Sequence, residues 1–256
     1  MTAFISRVYS QVYKNMKVTG RNYFRLFDVT IWPLILLFSI VLFVNYVKGS
    51  SDIVAMVLLG VTGWRAVYHF QIDMTTFYME EYWSHSLNHF LVSPIRWIEF
   101  FVGNIITGII KFTTVLILYL IIGYFFFSFT ISNIPVFIFG ILALASFGVI
   151  LGLFTMGIIV IHHENAYTAS YIIPDLLVLL SGVYYPISIF PQTMQNIIQF
   201  IPAVHGFVIL KSTIGMAQPN YVMLFATSIV WLVCGLVLFI LCLNYARKHG
   251  RLGRMS

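Results

Sequence analysis

Residues 87–100 read LNHFLVSPIRWIEF, with a histidine, an arginine, a glutamate and a proline set between two long apolar runs. The fold turns on whether such a stretch interrupts one globule or joins two membrane spans. The chain around it is 60% hydrophobic and 9% charged, with a mean hydropathy of +0.94. That leaves too little polar surface to cover a globule. The apolar runs on either side also reach the roughly 20 residues needed to cross about 30 Å of hydrocarbon. The expectation is an all-α integral membrane protein in which LNHFLVSPIRWIEF is a connection. Two cysteines, Cys234 and Cys242, stand eight apart in one apolar run. Their spacing fits no zinc or redox motif, so both read as small apolar fillers.

Six spans follow from the apolar runs: 29–47, 53–78, 100–127, 136–161, 166–185 and 221–245. Pro33 and Pro174 lie inside spans, which tolerate proline. Ahead of them, residues 1–28 carry Arg7, Lys14, Lys17, Arg21 and Arg25 alongside Val8, Val12, Met16, Tyr23 and Phe24. This pattern predicts an amphipathic helix in the headgroup plane, and it lacks the short apolar core and cleavage site of a removable signal peptide. The six-helix transmembrane domain then covers 29–256.

Lysine and arginine counts orient the spans. Five lie in the N-terminal segment and four in the C-terminal tail (Arg247, Lys248, Arg251, Arg254), whereas the loops after spans one, three and five hold Lys48, none and Lys211. Both termini are therefore expected in the cytoplasm, and so is the 87–100 connection. The net charge of +6 is accounted for by this distribution rather than by nucleic-acid binding. Between spans five and six, SGVYYPISIFPQTMQNIIQFIPAVHGFVILKSTIGMAQPN (181–220) is too apolar for a solvated loop and too proline-broken for a span. Met194, Ile197, Ile198 and Ile201 make one helical stripe within it. The expectation is a re-entrant helix pair over about 186–216 that dips into the outer leaflet, since non-helical backbone at such depth must be buried in protein or line a cavity.

In the opening stretch Leu87, Phe90 and Leu91 form an apolar face beside Asn88, His89 and Arg96, suited to docking on a protein groove. Pro94 ends the helix, because the residue before proline leaves the α region. Span two carries Arg65, His69 and Asp73 at four-residue spacing on one face. A charge at mid-bilayer costs roughly 2.5–3.5 kcal/mol, so this face looks into protein or water. It is either a polar strip at a dimer interface or transport path, or an i,i+4 network that seals the bundle. Asp175 and Lys111 are further charges within spans, and Lys111 either pairs with Asp175 or snorkels. Tyr184 and Tyr185, beside the re-entrant pair, are candidates for contacting cargo.

Metal sites are not expected. His162-His163-Glu164 lacks the H-E-x-x-H order, and His85 and His89 read as a polar helix face. No Gly-Lys dipeptide occurs, so the phosphate-binding G-x-x-x-x-G-K-[ST] loop is absent from the sequence. ATP, if it drives this protein, is bound by another polypeptide.

The order of interfacial helix, six spans, polar helix after span two and re-entrant pair before span six resembles the permease subunits of type-two ABC exporters (ABC-2 type). Two blocks carry the likeness. EYWSHSLNHFLVSPIRWIEFFVG (81–103) is similar to the family's acidic start, Leu-Leu-x-Ser-Pro centre and closing glycine. LLSGVYYPISIFPQTMQNIIQFIP (179–202) is similar to its Ser-Gly-x-x-x-Pro, Pro, Pro signature. The chain departs from drug-type relatives in having Glu81-Tyr82 and then His85-Ser86 where those carry Glu-Arg-x-x-Gly-Thr.

The resemblance implies a membrane subunit that is not itself an enzyme. It would be without its own cofactor and would work as a dimer, with a second copy or a related permease. Cytoplasmic ABC ATPase subunits would bind ATP and magnesium. The helix at about 81–96 would couple to the ATPase through Glu81, Ser86, Leu87, Phe90, Leu91, Ser93, Pro94 and Arg96. His163 and Glu164 would make a second contact. On the reading of the residues themselves, Arg65, His69, Asp73, Asp175, Tyr184 and Tyr185 are the candidates for the substrate path. The setting would be a prokaryotic plasma membrane and the cargo a lipid-like, drug-like or glycan amphiphile. The alternative is a secondary transporter driven by an ion gradient through Arg65, His69, Asp73 and Asp175. An intramembrane enzyme lacks a nucleophile–base pair.

Overall fold

Several of the long helices start where a polar side chain supplies the acceptor that the first N–H groups lack within the helix. In the computed structural model, which describes residues 2–47 and 49–252, the Asn22 side chain accepts the N–H groups of Phe24 and Arg25. Asn133 and Asn220 cap in the same way through the N–H groups of Val136 and Met223. Lys48 and Arg254, counted above in the charge balance, lie outside the described residues.

The described residues form eleven α-helices and no strand. They are α1 (Thr2–Arg21), α2 (Tyr23–Tyr46), α3 (Ser51–Trp83), α4 (Leu87–Val92), α5 (Trp97–Phe127) and α6 (Ile134–His162). After them come α7 (Glu164–Tyr167), α8 (Ala169–Leu180), α9 (Gln192–Ile198), α10 (Pro202–Ser212) and α11 (Tyr221–Lys248). Five of them, α2, α3, α5, α6 and α11, are long and apolar enough to cross a membrane. α3 is the axle: it packs against α2, α5, α6, α8 and α10, most extensively on α6. One apolar core (Trp64, Leu144, Phe147, Phe207) lies between α3, α6 and α10, and another (Tyr78, Phe100, Met156, Phe239) lies towards the end that holds both termini.

The span expected at 166–185 takes a different form. His163 turns the chain sharply at φ 49°, α7 is a single turn, and α8 has 12 residues with Pro174 inside it. At 1.5 Å per residue α8 rises about 18 Å, short of the hydrocarbon thickness. The segment nonetheless runs the length of the core. The Tyr167 hydroxyl is 3.1 Å from Thr76 Oγ1 at one end. At the other, the Val183 carbonyl oxygen would stand 2.3 Å from a Cβ at Gly60. Thr76 and Gly60 are about 24 Å apart along α3, so the chain passes the core a sixth time as a broken, proline-containing helix.

α9 and α10 meet at 96°, the bent pair expected before the last span. α10 packs on α6, α3 and α11, and Trp231 of α11 donates its indole N–H to the Phe200 carbonyl at 2.8 Å, pinning the bend. The single helix expected at 81–96 is divided. α3 continues to Trp83, His85 takes a left-handed φ of 57°, α4 covers only 87–92, and Ser93 is extended ahead of Pro94.

Candidate functional site

The end of the bundle holding the termini gathers α1, the last turn of α3, α4, the start of α5, the α6–α7 turn and the end of α11. Three of its basic residues pair with carboxylates across elements. Arg25 pairs with Glu80, and Lys14 pairs with Glu81, whose carboxylate also accepts the Ser86 hydroxyl. Arg7 donates to the Pro94 carbonyl at 2.5 Å and lies 3.4 Å from Glu99. Glu99 in turn accepts the Arg96 backbone N–H at 2.8 Å, a carboxylate at the third helical position reaching back to cap α5.

Basic residues of α1 therefore hold both sides of α4. α1 is seated on α5 by a polar stripe: Asn15 Nδ2 donates to Asn104 Oδ1 at 2.9 Å and to Thr107 Oγ1 at 3.2 Å, and Gln11 donates to Asn15 at 3.1 Å. The absent side chain of Gly103 allows this approach, since a Cβ there would lie 2.6 Å from Gln11 Cγ. Sequence reading missed this seat. It placed an amphipathic helix in the headgroup plane without seeing its polar side against α5, where Gln11, Asn15 and Thr19 are buried while Phe4, Ile5, Tyr9 and Tyr13 are exposed. The available signal was polar residues at i, i+4 and i+8 on α1 opposite a Gly-Asn-x-x-Thr run on α5.

The expected docking face of α4 points inward. Leu87 is 1% exposed. The Phe90 ring packs edge-on against Phe100 (centroids 5.3 Å) and Trp97 (6.0 Å), and Trp97 continues to Phe239 of α11 (5.6 Å). Leu91 is half-buried beside them. Outward lie Asn88, His89 and Val92, the last 88% exposed. The apolar residues of α4 thus link it to α5 and α11, and its outer ridge is left for any partner. Ser93 holds the proline turn: its hydroxyl donates to the Phe90 carbonyl at 2.6 Å and accepts the Ile95 N–H at 3.4 Å. Pro94 and Arg96 are exposed. Glu164 is exposed too, but His163 is buried, its ring 4.7 Å from that of Tyr82. Burial pushes its imidazole below the usual histidine range.

The span-two strip is internal to the protomer. Lys111 of α5 donates to Asp73 at 2.7 Å, both buried, with its ammonium 4.7 Å from the Phe77 ring. Arg65 donates to the Asp28 carbonyl at 3.2 Å and lies over Tyr68. His69 is fully buried between them in sequence, and Arg65 Nε, His69 Nε2 and Asp73 Oδ2 have no hydrogen-bond partner among the described residues. The pairing of Lys111 with Asp175 does not form: Asp175 is exposed on α8. The strip therefore joins α3 to α2 and α5. Tyr184 and Tyr185 are half-buried where α8 gives way to the bent pair, with Tyr185 against Phe190.

No group of three or more potential metal ligands occurs among the described residues. The family model described as "ABC-2 type transporter" matches residues 10–215, from the middle of α1 through the bent pair. No curated protein matches the chain.

Proposed function

The chain belongs to the ABC-2 type transporter family, and from that membership we propose that it is the permease subunit of an ATP-driven exporter. Membership makes it a multi-pass membrane component of an ABC transporter, the transmembrane part that lacks the ATP-binding cassette. In the proposed arrangement two copies, or one copy and a related permease, sit in a prokaryotic inner membrane with both termini cytoplasmic. Two separate ATPase subunits bind ATP and magnesium and dock on the end that carries α4. The cargo is an amphiphile moved outward.

The observation that carries this reading is the mechanical position of α4. Its outer ridge is open, while its inner residues Leu87 and Phe90 are locked into the aromatic cluster of α5 and α11. A push on the ridge cannot be absorbed locally, because packed aromatic contacts deform as a unit rather than continuously. Displacement of α4 therefore passes to α5 through Phe100, to α11 through Trp97 and Phe239, and to α1 through Arg7 on Pro94.

Val92→Asp on the outer ridge tests the reading, because it places a carboxylate where an apolar contact is proposed and disturbs no internal packing. The expected result is loss of the co-purifying ATPase from native membranes with normal insertion and dimer elution. Retention of a nucleotide-binding partner at native yield by both Val92→Asp and His89→Asp would overturn the coupling assignment.

A further inference from the structure

At the end of the bundle opposite α4, a cavity of about 340 Å³ lies between α3, the turn after α8, and α10. Its walls are Met56, Pro186, Ile187, Val204, Phe207 and Val208, and Lys211 enters it. Met56 is about 40 Å along α3 from Trp83, so the cavity is remote from the coupling end.

Lys211 is 8% exposed. Its ammonium donates to the Gly182 carbonyl at 2.5 Å and to the Tyr185 carbonyl at 3.2 Å. An ammonium has three N–H donors and no acceptor, so one N–H remains, and no carboxylate pairs with Lys211 among the described residues. Two neutral carbonyls give the ammonium no counter-charge against an apolar wall, and a buried lysine so placed either gives up its charge or keeps it by pairing with an anion. The volume falls in the range of small-molecule sites, which combine apolar lining with a few fixed polar groups. In the cleft at Arg96 and Arg247, by contrast, both arginines are exposed.

We propose that this cavity binds an anionic amphiphile, with a carboxylate or phosphate headgroup on the Lys211 ammonium and an alkyl chain along Met56, Phe207 and Val208. Ile189, Met194 and Ile197 of the adjoining segment are apolar and exposed. The occupant is either a lipid of the surrounding leaflet or an exported amphiphile, and the two share this chemistry. The proposal rests on the permease reading only for which leaflet the cavity serves.

The experiment is equilibrium binding of radiolabelled myristate to the purified full chain in a maltoside detergent. Saturable binding of one myristate per chain is expected, with no binding of tetradecanol at the same concentrations. Lys211→Met should weaken it at least about tenfold, while Lys211→Arg, which keeps the charge, should retain it within a few-fold. Val208→Trp fills the cavity without touching the carbonyl contacts and should abolish it, so the proposal stays testable even if Lys211→Met fails to fold. Competition by dimyristoylphosphatidylglycerol supports the site with a bilayer lipid as occupant. Its absence supports the site with a single-chain amphiphile. Non-saturable binding, or equal binding by native chain and Val208→Trp, overturns the proposal. None of these outcomes changes ATPase co-purification, whereas failure of the permease reading would appear there alone.

Discussion

Arg7, in the second turn of α1, donates a hydrogen bond to the carbonyl of Pro94, the residue that ends the extended turn after α4. Two segments 87 residues apart are thereby tied at the point where the chain re-enters the bundle. The same guanidinium faces Glu99, whose carboxylate caps α5. α1 is thus a strap across the turn that follows α4 as well as an amphipathic segment.

Removing the strap should loosen α4 without unfolding the bundle. Arg7→Ala leaves the aromatic cluster of Phe90, Trp97 and Phe100 intact. Amide hydrogen exchange of residues 87–95 should then accelerate about tenfold, the effect of roughly 1.4 kcal/mol, near the top of the range for an ordinary hydrogen bond. The amides of α6 should be unchanged. Identical exchange of 87–95 in the native and variant chains would show that Arg7 does not hold the turn.

The Asp73–Lys111 pair makes a sharper prediction, since both members are buried. Asp73→Ala or Lys111→Ala alone strands a charge and should destabilise the detergent-solubilised chain by about 3–5 kcal/mol. Asp73→Leu with Lys111→Met removes both charges, keeps the volume, and should come within about 1–2 kcal/mol of the native chain. Thermal melting of the four proteins decides it. Additive losses in the double variant would mean that the two groups are not coupled.

His163 should make stability depend on pH. Its burial favours the neutral imidazole and lowers its folded-state value below the ordinary 6.5. The unfolded chain therefore binds more protons between those two values, and stability must fall as pH drops. Its contribution is complete above pH 6.5 and is lost progressively as pH falls towards the folded-state value. Melting temperature measured from pH 8 to pH 5 should decline in the native chain and decline less in His163→Asn. Parallel curves for the two would locate the titration elsewhere.

Composition, apolar run length and proline placement made the membrane class, the helical fold and the bent pair before the last span legible, because hydrocarbon thickness and the missing proline N–H act locally. The residues from Glu81 to Gly103 were legible as a polar connection with a proline stop for the same reason. Which way α4 faces was not. Leu87, Phe90 and Leu91 look alike whether they await a partner or fill their own bundle, and only the arrival of Phe100 and Phe239 from other helices decides between the two.

The interrupted sixth passage shows the same boundary. Hydropathy sees an apolar run over 166–185, but the turn at His163 and the close approach of Val183 to Gly60 depend on α3 lying alongside. Charge pairing went the same way: Lys111 had two candidate environments, and the separation of helices in three dimensions gave it Asp73 while leaving Asp175 exposed. The sequence by itself determined that this protein spans a membrane as helices, since this follows from burial and backbone chemistry within some twenty residues. The tertiary structure alone decided the Arg7–Pro94 strap, the inward face of α4 and the solitary ammonium of Lys211. Each of these depends on contacts between segments far apart in the chain, and no local pattern encodes them.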